Sequence, residues 1–112
     1  MDSEKLVNEI CNALSTKKAQ DVIKINVTDK TCLADYFVIA GGRSATQVRS
    51  LADSVEEIIE KNLGLTVTRR EGVSEGRWAV LDYGDVIVHI FNDEQRLFYH
   101  LERLWGEGEK VE

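Results

Sequence analysis

Trp78-Ala-Val-Leu-Asp-Tyr-Gly-Asp-Val-Ile-Val-His-Ile-Phe91 decides the fold, because two apolar arms rich in β-branched residues flank Asp82-Tyr83-Gly84-Asp85. Gly84 supplies the positive φ that a tight turn requires, so the segment reads as a β-hairpin. With Tyr83 and Gly84 as the loop, the pairs are Leu81 with Val86, Val80 with Ile87, Ala79 with Val88 and Trp78 with His89. A turn with a bulge would slip that register. Side chains alternate, so one face carries Ala79, Leu81, Val86, Val88 and Ile90, aliphatics suited to lie under helices. The other carries Trp78, Val80, Ile87, His89 and Phe91, with Asp82 and Asp85 at its rim. Indole and imidazole rings join apolar area to a polar handle, as protein interfaces favour, so this face suggests a binding surface; the competing reading is that helices cover this face too.

Outward from the hairpin, Leu6, Val7, Ile10, Cys11 and Leu14 recur at helical spacing and predict a helix from about Ser3 to Thr16. Val22–Val27 and Tyr36–Ala40 read as strands, the second apolar on both faces and therefore central. Gly41-Gly42 ends that strand, and Ser44 with Gln47 three residues on forms a capping box. The helix that follows buries Val48, Leu51, Ala52, Val55, Ile58 and Ile59 and stops at Gly64. Leu65–Arg70 predicts a third strand, and Glu71–Gly76 a loop with two glycines. Asn92 and Gln95 open a last helix whose stripe is Leu97, Phe98, Leu101, Leu104 and Trp105. The expectation is one α/β domain over residues 1–105, a two-layer or sandwich arrangement of about five strands in a mixed sheet with three main helices, and a flexible acidic tail over 106–112. The strand–helix–strand unit through Ser44 forms a right-handed crossover if its strands are parallel.

The 112 residues are 43% hydrophobic and 30% charged, the composition of an ordinary globule with one core. No apolar run approaches a membrane span, and the polar start Met1-Asp2-Ser3-Glu4-Lys5 lacks a secretory signal or transit peptide; a cytoplasmic protein is expected. A net charge of -6 argues against a general nucleic-acid binder and favours basic partners. Cys11 and Cys32 lack metal-ligand spacing and read as structural thiols, so neither metal nor cofactor is expected.

Gly41-Gly42-Ser44 at a helix start is the best enzymatic candidate, since freed amides there can hold a phosphate. It lacks the Gly-Lys-Ser/Thr of a Walker loop and the three spaced glycines of a dinucleotide fingerprint. A nucleotidyl transferase also needs an Asp-x-Asp pair for Mg2+; here Asp53 stands alone, with Val55 where its mate would be. A structural cap is the preferred reading, and nucleotide binding or transfer the alternative. His89 reads as a packed or interfacial ring, His100 as solvated, and Asp82 and Asp85 as turn acids that receive Lys or Arg from a partner. Arg69, Arg70 and Arg77 form a basic cluster, a candidate anion or RNA contact or else a solvated edge.

Asp35-Tyr36-Phe37-Val38-Ile39, Ser44, Glu71-Gly72, Gly76, Trp78, Leu81-Asp82-Tyr83-Gly84-Asp85-Val86-Ile87-Val88-His89, and Arg96, Tyr99, Leu101-Glu102 and Leu104-Trp105 together resemble the ribosomal silencing factor family, also called Iojap-like. The resemblance runs nearly end to end. It implies a nucleotidyltransferase-like fold without catalytic carboxylates, and no enzyme activity. It also implies binding to ribosomal protein L-fourteen of the large ribosomal subunit at the intersubunit face, a steric block to subunit joining, and repression of translation under nutrient limitation. An assembly role on the large subunit is the other ribosomal alternative. On this chain the implied partner-binding residues are Trp78, Leu81, Asp82, Tyr83, Asp85 and His89, with a homodimer compatible with the same aromatic face and a minor ribosomal RNA contact at the arginines.

Overall fold

A computed structural model describes residues 3–28, 34–92 and the strand 109–110. The elements run α1 Ser3–Thr16, β1 Gln20–Asn26, β2 Tyr36–Gly42, α2 Ala45–Leu63, β3 Arg69–Glu71, β4 Trp78–Asp82, β5 Val86–Asn92 and β6 Glu109–Lys110. They build one mixed sheet in the order β3-β4-β5-β2-β1-β6.

The central strand is β2, as its two-sided apolar sequence predicts: Phe37 to Gly42 are all buried. It pairs parallel with β5, Tyr36 opposite Val86 through to Gly42 opposite Asn92, and antiparallel with β1. A bulge between Gln20 and Ile23 shifts the β1 register, and Asp21 there has φ 47. Because Val38 and Ala40 point one way and Phe37 and Ile39 the other, the sheet carries a core on each face.

Both described helices lie on the first face. α1 contributes Leu6, Val7, Ile10 and Leu14, and α2 contributes Val48, Leu51, Ala52, Val55 and Ile59, over Ala79, Leu81, Val86, Val88 and Ile90 of the hairpin. Each of these larger aliphatic side chains stabilises the fold by roughly 1.5–3 kcal/mol through burial. The opposite core holds Ile25, Val27, Ala34, Phe37, Ile39 and Phe91.

The third strand is shorter and later than expected, Arg69–Glu71 instead of Leu65–Arg70, because pairing begins only where Arg69 meets Asp82 of β4. Leu65 and Val67 pack instead as half-buried side chains against the helix-side core. β2 and β3 are parallel, since β3 opposes β4, β4 opposes β5 and β5 parallels β2, but they are not neighbours. The α2 crossover therefore passes over β5 and β4 to the edge of the sheet.

The predicted helix from Asn92 lies outside the described residues, apart from Asn92 itself, which ends β5. In the stretch expected to be a flexible tail, Glu109–Lys110 pairs antiparallel with Ile23 and Lys24 of β1. No described helix is long and apolar enough to cross a membrane.

The loop before β4 is clamped to the start of α2. Gly76 has φ 71, and a Cβ there would come within 2.6 Å of both the Cβ and the carbonyl oxygen of Ala45. Arg49 Nη1 reinforces the contact by donating to the Ser74 carbonyl at 3.1 Å. Gly76→Ala combines left-handed strain with a backbone clash, so we expect a loss of about 2–4 kcal/mol, measurable as a lower urea midpoint with an unchanged slope.

Candidate partner-binding surface

The hairpin closes two residues away from the expected register. Tyr83 N–H donates to the Val86 carbonyl at 2.9 Å, which makes Gly84-Asp85 the loop, with Gly84 at φ 89. Trp78 then faces Phe91, Val80 faces His89, Leu81 faces Val88 and Asp82 faces Ile87. A shift of two leaves every side chain on its predicted face, so the helix-side set was assigned correctly although its partners were not.

The cause lies in the turn's hydrogen bonds. Asp82 Oδ1 accepts from the Gly84 N–H at 2.7 Å, and the Asp85 carbonyl accepts from the N–H groups of Asp35 at 2.7 Å and Tyr36 at 3.1 Å. These bonds tie the loop to the first residues of β2. Asp82 and Asp85 therefore do not oppose each other as a carboxylate pair: Asp82 is half-buried over its own turn and Asp85 is exposed.

On the face away from α1 and α2, Trp78, His89, Phe91 and Phe37 form an aromatic cluster. Trp78 Nε1 donates to His89 Nδ1 at 3.1 Å across the diagonal of the hairpin. Phe37 meets the imidazole edge-on at 5.3 Å, and Phe91 stacks on the Trp78 indole at 4.9 Å. Phe91 is 1% exposed, whereas Trp78, Val80, Ile87 and His89 keep partial exposure. This face is thus a second core with a part-exposed aromatic margin, and no described helix lies on it. Burial lowers the His89 pKa from 6.5 to about 4, so the ring is neutral at physiological pH.

The predicted partner residues do not form one patch. Leu81 is fully buried beneath the helices and has no surface to offer a partner, because its strand parity points it at α2. Tyr83 continues that parity through its bond to Val86 and packs on the helix-side core, opposite to Trp78 and His89. Its hydroxyl is buried, and burial followed by the charges of Glu56 and Glu60 raises its pKa.

The arginines also separate. Arg70 points to α2, where Nη1 lies 2.8 Å from Glu56 and Nη2 lies 3.3 Å from Asp53. Arg69 points to the other face and pairs with Glu71 at 3.0 Å, both well exposed, an ion pair worth no more than about 1 kcal/mol. Arg77 is exposed in the loop before β4. Alternation along β3 divides the expected basic cluster, and Arg70 is committed to two carboxylates. Burial raises the Glu56 pKa despite that guanidinium. Beside this ion pair, a cavity of about 320 Å³ is lined by Glu56, Glu57, Glu60, Thr66 and Val67. Sequence reading did not single it out, although Glu56 and Glu60 stand one helical turn apart.

The glycine turn is filled by its own helix. Ser44 Oγ accepts from the Gln47 N–H at 3.1 Å, and Gln47 Oε1 accepts from the Arg43 N–H at 2.7 Å. A Cβ on Gly42 would fall 2.9 Å from Val48 Cγ2, so the glycine there admits α2 to the sheet. The cap reading is the one this geometry favours. Cys11 is buried, Cys32 and His100 lie outside the described residues, and among the described residues no three His, Cys, Asp or Glu side chains could together hold a metal.

The arrangement defines a small α/β protein whose mixed sheet is covered by two helices on one face and margined by aromatic rings on the other. The whole chain, residues 1–112, matches the family described as ribosomal silencing factor during starvation. A ribosomal silencing factor of Halalkalibacterium halodurans is 36% identical over 112 residues, covering 100% of this chain and 95% of the relative. One from Bacillus subtilis is 35% identical over 96% of this chain and 91% of its own length. The chloroplastic protein Iojap of Arabidopsis thaliana is 30% identical over 93% of this chain but only 43% of its own. A Chromobacterium violaceum crystal structure superposes with a TM-score of 0.91 at 32% identity, covering 99% of this chain and 92% of that one. The chain belongs to the ribosomal silencing factor family.

Two outcomes test the site chemistry. Between pH 6.5 and 4 the unfolded chain binds a proton at His89 that the folded chain rejects, so stability is full above 6.5 and falls on acidification by on the order of 3 kcal/mol. Urea melts across that range should show the slope, and His89→Phe should remove it. ATP or CTP with Mg2+ should leave the melting temperature unchanged, whereas a bound nucleotide at 100 times Kd would add about 2.7 kcal/mol.

Proposed function

We propose that this chain silences ribosomes by occupancy: it binds the large subunit through ribosomal protein L-fourteen at the intersubunit face and keeps the small subunit from joining. Membership of the ribosomal silencing factor family over the full chain carries the reading. Steric exclusion requires affinity and position but no chemical step, which accords with a glycine turn occupied by its own cap. Repression of translation under nutrient limitation follows from the loss of joined ribosomes, in the cytoplasm.

The contact surface we assign is the aromatic margin, Trp78 with His89, together with the acids of the turn, Asp82 and Asp85. The charge of -6 attracts a basic ribosomal protein and repels RNA phosphates, so protein contacts dominate. Tyr83 contributes from the α2 side of the same turn, and Leu81 supports the strand from beneath. Arg77 is the arginine we assign to a minor ribosomal RNA contact, since Arg70 is held by Asp53 and Glu56. A homodimer through the aromatic margin would compete with ribosome binding.

Sedimentation of purified subunits in associating Mg2+ tests the proposal. With the protein present, the joined-ribosome peak should fall and the protein should migrate with the large subunit; an unchanged peak with the protein at the top of the gradient would refute it. Trp78→Ala should weaken large-subunit binding at least tenfold, about 1.4 kcal/mol, with Asp82→Asn/Asp85→Asn chiefly slowing association at low salt.

A further inference from the structure

The hydrogen bond between Trp78 and His89 inside the aromatic cluster is the feature that neither core packing nor steric exclusion calls for. An apolar face gains nothing from an imidazole, yet His89 stands between Phe37 and Trp78 with both ring nitrogens buried or bonded. Its Nδ1 accepts the Trp78 indole N–H at 3.1 Å. That bond requires the lone pair on Nδ1 and fixes the neutral tautomer with its proton on Nε2. Nε2 is buried and has no hydrogen-bond partner among the described residues. Burial favours the same neutral state.

We propose that His89 is the positioning residue for Trp78 on the ribosome-binding surface: by taking the indole N–H, it locks the ring so that Trp78 offers a partner carbon surface and no hydrogen-bond donor. The inference rests on the reading that Trp78 contacts the partner. It adds the chemistry of that contact. Phe91 supports the indole by stacking at 4.9 Å and His89 holds its N–H edge, so the ring is fixed from two directions before binding. A ring fixed beforehand loses little rotamer freedom on association. The partner group it fits is the aliphatic part of a side chain, packed against the ring without an acceptor directed at the N–H.

The lone pair is the testable element. His89→Asn places its amide oxygen near the position of Nδ1 and retains an acceptor, whereas His89→Leu removes it. Large-subunit affinity, melting temperature and the Trp78 indole N–H resonance, assigned by its loss in Trp78→Phe, are read for each. Expected are a loss of about tenfold for Leu with a melting temperature unchanged or raised, a clearly smaller loss for Asn, and an indole resonance that moves furthest in Leu. Trp78→Phe, which lacks the N–H but keeps ring carbon, should bind better than Trp78→Ala.

Wild-type affinity in His89→Leu, alongside a weakened Trp78→Ala, overturns the positioning role and leaves the surface intact. Equal losses for Asn and Leu with both melting temperatures lowered make His89 merely structural and overturn it also. If Trp78→Ala binds as wild type, the surface assignment itself fails. Should His89→Leu not fold, His89→Gln replaces it, since its oxygen falls near Nε2 instead; clearly tighter binding by Asn than by Gln supports the proposal, and equal affinity overturns it.

Discussion

The parallel pairing of β2 with β5 is the constraint on which the rest of the structure depends. Every backbone group in a strand buried on both faces needs a partner, because water cannot reach it. β2 is buried from Phe37 to Gly42, so it requires a strand on each side along that length. β1 supplies the antiparallel side and β5 the parallel one. Once β5 is fixed beside β2, the hairpin fixes β4, and β4 fixes β3 at the edge. The Asp85 carbonyl ties the hairpin loop to Asp35 and Tyr36, so the same pairing also sets where the turn acids stand.

Local patterns in the sequence carried most of this and nonlocal ones carried little. α1, α2 with its Ser44 and Gln47 cap, and the central β2 were readable because periodicity and capping are written within a dozen residues. The faces of the hairpin were readable for the same reason. Its register was not, because the bond from Tyr83 to Val86 and the ties from Asp35 and Tyr36 involve residues that no pattern in the hairpin names. β3 was misplaced for a similar reason: Leu65 and Val67 look like strand residues, but they serve the helix-side core, and the pairing starts at Arg69.

The candidate surface was legible by residue type and illegible by geometry. Trp78 and His89 were paired as neighbours and prove to be bonded on the diagonal. Tyr83 was placed with them because a loop residue has no assigned face, and one backbone hydrogen bond sends it to the other side. Arg69 and Arg70 look like a cluster in a linear sequence, yet strand alternation must divide adjacent residues. The Glu56 and Glu60 cavity needed α2 to be docked before it existed.

The parallel junction of β2 and β5 has a consequence for how the chain is made. Two parallel neighbours cannot be joined by a tight turn, and here the connection carries α2, β3 and β4. During synthesis α1, β1, β2 and α2 emerge first, and β1 can satisfy one side of β2 as soon as both exist. The other side stays open until Asn92 has followed. For that interval the nascent protein exposes an unpaired strand edge flanked by apolar residues, the type of surface that invites association with other chains and the attention of chaperones.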